Sequence, residues 1–250
     1  MKLTQLFLFC IGTWLRQWRV LLAPSLAIWA INLMYHLLMR NQDLGRLANW
    51  AIGIVFMVPG LIWWAYIIET ARLSFLKPMG KFRKRAILRV AVTLAPRILV
   101  VLLFQVTLFF LFSIPALGIF VMGYHDHRNT ILYWIIQSLM ILAPVYMAIR
   151  MNLSIEALCV ERSGRSAAVG LSIKRTHGRF PITTLWSLGS WSYQSLPWIL
   201  GWAAGGFNRS AGTVLSGGIL GETWAVIFDP VFCFLSLGLY IRFMGKRKTA

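Results

Sequence analysis

The residues of this chain that could do chemistry are few, and most lie inside long apolar stretches. A polar group in hydrocarbon is expensive, so each is a candidate for function. Glu69 and Arg72 are three residues apart, which puts an acid and a base on one helix face where they can pair. Arg150, Asn152, Ser154 and Glu156 alternate with apolar residues at the end of another apolar run. Asp229, beside Pro230, lies within a third. A lone acid at that depth requires a hydrogen-bonding partner or a hydrated cavity, and Asn32, Gln105 and Gln137 are the partners expected for it. For Glu69, Arg72, Arg150 and Glu156 the simplest expectation is local pairing, with the long side chains reaching toward the membrane boundary.

None of these patterns names a reaction. There is no paired-carboxylate site, no histidine cluster and no nucleophile next to a base. His125-Asp126-His127 has metal-binding residue types, but it stands in a short connection without further ligands nearby. Cys10, Cys159 and Cys233 are far apart and form no CxxC, so they read as small apolar residues. No catalytic, metal or cofactor site is expected.

The elements that position these residues follow from composition and charge. The chain is 58% hydrophobic and only 13% charged, with a net charge of +18. Six apolar segments, at 18–39, 47–70, 98–123, 131–152, 182–203 and 223–244, are each long enough to cross a bilayer as a helix. Of the 25 Lys and Arg residues, 21 fall at the two chain ends and in the two even-numbered connections. The odd-numbered connections hold only Arg40, Arg46, Arg128 and Arg209. The positive-inside bias therefore predicts an all-α integral membrane protein with six transmembrane helices and both termini in the cytoplasm. The charge is a topology signal and a lipid-facing surface, not a nucleic-acid footprint. The opening Met1-Lys2 and its apolar run do not read as a signal peptide, because Trp14, Arg16, Trp18 and Arg19 follow where small residues would mark a cleavage site.

A single membrane domain of three repeats, at about 1–78, 79–160 and 161–250, is expected. Each repeat opens with a basic amphipathic stretch suited to lie in the membrane surface: Leu3–Gln17, Lys81–Pro96 and Arg162–Gly178. A helical hairpin follows each. Tyr66, Leu73 and Ser74 recur as Tyr146, Leu153 and Ser154, and Tyr240-Ile241-Arg242 closes the third copy. Each span holds a proline: Pro24, Pro59, Pro115, Pro144, Pro197 and Pro230. Six bent helices could enclose a cavity. Gly201–Gly221, with seven glycines, reads as a flexible or re-entrant loop. Glu161 precedes the third basic stretch, where it would accept hydrogen bonds from that helix's first turn or pair with Arg165.

The stretch Val145–Phe180 resembles the central pattern of a broad bacterial family of six-span proteins. That family includes the membrane domain attached to some glycerophosphodiester phosphodiesterases and the YciC-like inner-membrane proteins. Tyr146, Arg150, Glu161, Ser163-Gly164, Ala168, Ser172, Lys174-Arg175 and Gly178-Arg179-Phe180 occupy the family's positions. Pro230 and Tyr240-Ile241-Arg242 are similar to its last span. Ile173, Lys174 and Pro181 depart from it. The resemblance implies the fold and location in a bacterial inner membrane. It implies no activity, because the phosphodiesterase chemistry belongs to a separate soluble domain.

The function expected is that of a non-enzymatic scaffold or partner subunit. Its partners would be anionic lipid headgroups at the basic helices and other membrane proteins. The alternative is a transporter-like subunit, for which Asp229 and the bent spans would carry the case.

Overall fold

A computed structural model of the chain describes residues 3–39, 46–76, 82–126, 131–205 and 211–245. Among these residues the regular structure is all helix, without strands. The helices are α1 (Leu3–Met39), α2 (Arg46–Leu76), α3 (Lys84–Asp126), α4 (Ile131–Met151), α5 (Ser154–Glu161), α6 (Arg165–Thr176), α7 (Phe180–Gly205) and α8 (Ala211–Gly245). Five stretches among the described residues are long and apolar enough to cross a membrane: Thr4–Tyr35, Ala51–Leu76, Lys84–Pro115, Trp134–Glu161 and Thr223–Met244. Helices dominate because hydrocarbon offers backbone N–H and C=O groups no partner outside the segment. The protein is thus an all-α, multi-pass membrane protein.

The same physics corrects two expectations. Leu3–Gln17 and Lys81–Pro96 are not separate surface helices. The first continues into its span as α1, and residues from Lys84 onward continue into theirs as α3. Neither residue ends a helix: Gln17 lies within α1, and Pro96, which lacks an N–H, removes one bond of α3 without stopping it. Only the third basic stretch is a separate helix, α6. It ends at His177, which is extended, and Gly178, whose φ of 73° suits a residue without a side chain. The expected glycine loop is also mostly helix. α7 reaches Gly205 and α8 begins at Ala211. Glycine's weak helix preference, about 1 kcal/mol per residue in water, is outweighed where an unbonded backbone group costs several.

The contacts divide the chain into two units, residues 1–98 with 188–250, and residues 99–187. In the first, α1 packs on α2 and α8, and α2 on α8. α1 buries one stripe, Leu6, Cys10, Thr13, Gln17, Leu21, Ser25 and Ile28, at helical spacing. The spacing from Gln17 to Ile28 recurs seventy residues later in α3 at Ile87, Ala91, Ala95 and Ile98. α1 and α8 approach closely at Gly238, where an added Cβ would stand 2.6 Å from Cys10 Sγ. Small residues at such crossings let helix backbones come together where lipid gives no hydrophobic drive. Phe75 of α2 closes this core, its ring 5.7 Å from Phe9 and 6.2 Å from Phe234.

The second unit joins the rest of α3, α4, α5, α6 and the first turns of α7. α5 is short and buries Ser154 through Cys159, with α6 packed against it.

Candidate functional site

The densest polar constellation lies in the second unit, at a break in the fourth span. α4 stops at Met151, Asn152 and Leu153 form a turn, and α5 begins at Ser154. A break frees backbone carbonyls, which inside a membrane must find side-chain donors. Met151 O accepts from Gln105 Nε2 and from Ser154 Oγ, each at 2.6 Å. Arg150 O accepts from Ser172 Oγ at 2.7 Å. Asn152 Nδ2 donates to Ser187 Oγ at 2.9 Å. Donors on α3, α5 and α6, with an acceptor on α7, thus hold the broken helix.

Arg150 is the unusual member, a guanidinium only 5% exposed. Its Nη2 donates to Ile173 O at 2.6 Å, in the last turn of α6. The negative end of that helix dipole compensates part of the charge. Its guanidinium carbon lies 5.6 Å from the Tyr146 ring centre, close enough for cation–π attraction. Tyr146 in turn packs on Phe180 at 5.1 Å. Arg150 and Ser172 therefore clasp α4 to α6 in both directions. Arg150 Nε is buried without a hydrogen-bond partner.

Glu161 departs from expectation. α6 begins after Gly164 with no side-chain cap, and Arg165 is exposed. Glu161 Oε1 instead meets Arg175 Nε and Nη2, each at 3.2 Å. The reason is geometric: the αL conformation at Arg162 (φ 48°) turns the chain between α5 and α6. Lys174, beside Arg175, is exposed.

The first unit holds two further pairs. Arg72 Nε and Nη2 donate to the two carboxylate oxygens of Glu69 at 2.8 and 2.7 Å. Glu69 is 2% exposed, so a bidentate pair neutralises it where water is scarce. Asp229 accepts from Tyr193 Oη at 2.8 Å. Tyr193 was not foreseen. Its ring stacks on Phe232 at 3.9 Å and lies beside Trp224 and Phe228, an aromatic setting that fixes its hydroxyl. Of the expected partners, Gln105 is committed to Met151, and Gln137 Oε1 is buried without a partner. Tyr240 is fully buried in the α8 core.

One proline has its consequence visible. Pro24 lacks the N–H that would bond Val20 O, and Tyr66 Oη reaches that carbonyl at 3.5 Å. Trp63 Nε1 bonds Ser25 Oγ next to it, at 3.2 Å. Trp64 Nε1 reaches Cys233 Sγ, also at 3.2 Å.

Among the described residues there is no cluster of three metal-ligating side chains. The side chains of His125, Asp126 and His127 lie outside the described residues. No family model, curated protein or solved structure matches the chain. Fold and site together define a class: a multi-pass helical membrane protein whose interior polar side chains bond to backbone carbonyls and to one another.

Proposed function

We propose that this protein is a non-enzymatic scaffold or partner subunit of a bacterial inner membrane, engaging anionic lipid and other membrane proteins through a basic surface. It has six spans in three repeats and both termini in the cytoplasm, and it belongs with the six-span family its central segment resembles. The 26 residues of α7, about 39 Å of helix, support a sixth crossing beside the five apolar stretches. The recurring burial stripe of α1 and α3 supports the repeat. It engages no nucleic acid.

One observation carries the functional reading. The described acids turn inward: Glu69, Glu161 and Asp229 are each bonded to a side chain, and Glu156 is 8% exposed. Ten cations do the opposite, while Arg72, Arg150 and Arg175 are bonded inward to Glu69, Ile173 O and Glu161. Arg16, Arg19, Arg83, Lys84, Arg85, Arg89, Arg97, Arg162, Arg165 and Lys174 are all exposed. An outward basic surface over inward acids attracts an anionic leaflet by about 1 kcal/mol per residue near the headgroups.

Reconstitution into vesicles of mixed phosphatidylcholine and phosphatidylglycerol tests this. Spin-labelled lipids should report phosphatidylglycerol enriched around the protein. The enrichment should fall when Arg16, Arg19, Arg89, Arg165 and Lys174 are changed to Gln. Equal partitioning of the two lipids around the unaltered protein would overturn the reading.

A further inference from the structure

We infer that the first unit holds a site for a single anionic phospholipid, in a groove between α1 and α2 closed by the start of α3. This deepens the lipid-surface reading above and rests on it for the identity of the ligand. The groove has a volume of about 490 Å³, within the range of about 300–1,000 Å³ typical of ligand sites. Its walls follow from sequence. On α1, Ala23, Ala27 and Ile31 recur every four residues, and the two alanines leave a trough. On α2, Pro59, Ile62, Trp63 and Tyr66 form the facing stripe. Pro24 and Pro59 both line it, so each wall carries a proline, the residue that bends helices.

The polar atoms of the walls are already engaged. Tyr66 Oη is bonded to Val20 O and Trp63 Nε1 to Ser25 Oγ. What faces the groove is therefore hydrocarbon, suited to an acyl chain. The charged side chains that line it are two, Lys84 and Arg85, the first residues of α3. Both are exposed, and neither forms a salt bridge among the described residues. The positive end of the α3 helix dipole adds to these two charges. An apolar trough with two cations and no acid in its lining complements one molecule class, a phospholipid whose headgroup carries a net negative charge.

Native mass spectrometry of the detergent-purified protein, titrated separately with phosphatidylglycerol and phosphatidylcholine, tests the site. The unaltered protein should hold one phosphatidylglycerol in preference to phosphatidylcholine. Ala27→Trp, an exposed position whose indole would fill the trough, should weaken both lipids by about tenfold or more. The double change Lys84→Gln and Arg85→Gln should weaken phosphatidylglycerol by about 30-fold and leave phosphatidylcholine within about twofold. Val106→Trp, exposed in the other unit, should change neither. Unchanged binding by Ala27→Trp, or a retained phosphatidylglycerol preference without both cations, would overturn the site. The two lipid readings separate cleanly. Annular enrichment without the single adduct removes only the groove, and an adduct that obeys these variants without annular enrichment removes only the basic-surface reading.

Discussion

Tyr193 Oη donates to Asp229 Oδ1 across 2.8 Å, joining α7 to α8 inside the membrane-spanning region. The acid that most resembled part of an ion path in the sequence is therefore a hydrogen-bond acceptor in an aromatic cluster. Asp229→Asn keeps an acceptor oxygen and should shift stability by less than about 0.5 kcal/mol. Asp229→Leu leaves the Tyr193 hydroxyl unbonded by that carboxylate and should destabilise by about 1–2 kcal/mol. Thermal unfolding in detergent measures both. A stable Asp229→Asn protein that loses a pH-dependent flux in proteoliposomes would favour transport instead.

The clasp at the fourth-span break makes Arg150 irreplaceable by lysine. A lysine offers one point charge in place of a planar fork and cannot both reach Ile173 O and lie over Tyr146. Arg150→Lys should destabilise by about 1–3 kcal/mol, the usual effect of disturbing a buried, hydrogen-bonded charge. An unchanged unfolding temperature would contradict the clasp.

At the same break, Met151 O has two donors, and either alone satisfies one lone pair. Gln105→Leu and Ser154→Ala should each have a small effect, below about 1 kcal/mol, and the double change should exceed their sum. Strict additivity in unfolding measurements would show that the two groups do not share this carbonyl.

Glu161 and Arg175 form a largely buried pair, 18% and 16% exposed, so its contribution should exceed that of a surface pair, at about 1–2 kcal/mol. Glu161→Gln and Arg175→Gln should weaken the protein equally and non-additively, and Arg165→Gln should be neutral. The reverse ranking of Arg165 and Arg175 would restore the pairing that sequence spacing suggests.

Part of the fold and of the site was legible in the sequence. Glu69 and Arg72 were readable because both lie on one helix, where spacing determines contact. The positions of α2, α4 and α7 were readable from length and apolarity alone. Gly201–Gly221 misled because glycine's weak helix preference is a property measured in water. Glu161 misled because its partner lies beyond a reversal set by a single αL residue, which local spacing does not encode. Tyr193 and Ser187 carried no signal, since hydroxyls in an apolar run look alike until the fold aligns one with a partner, and Ser172 was marked only by its place in the resemblance. Tyr66 had a signal that could have been used: a proline at position 24 implies an unbonded carbonyl at 20, and something must reach it.

The proposed engagement of anionic lipid requires the outward cations to face one leaflet. Single cysteines at Arg19, Arg85 and Arg165 test that directly, because Cys10, Cys159 and Cys233 are buried and contribute little background labelling. Intact cells treated with a membrane-impermeant maleimide should leave all three positions unlabelled, and permeabilised cells should label all three. Labelling of any one of them from outside intact cells would contradict the one-sided basic surface, and with it the proposed engagement of the anionic cytoplasmic leaflet.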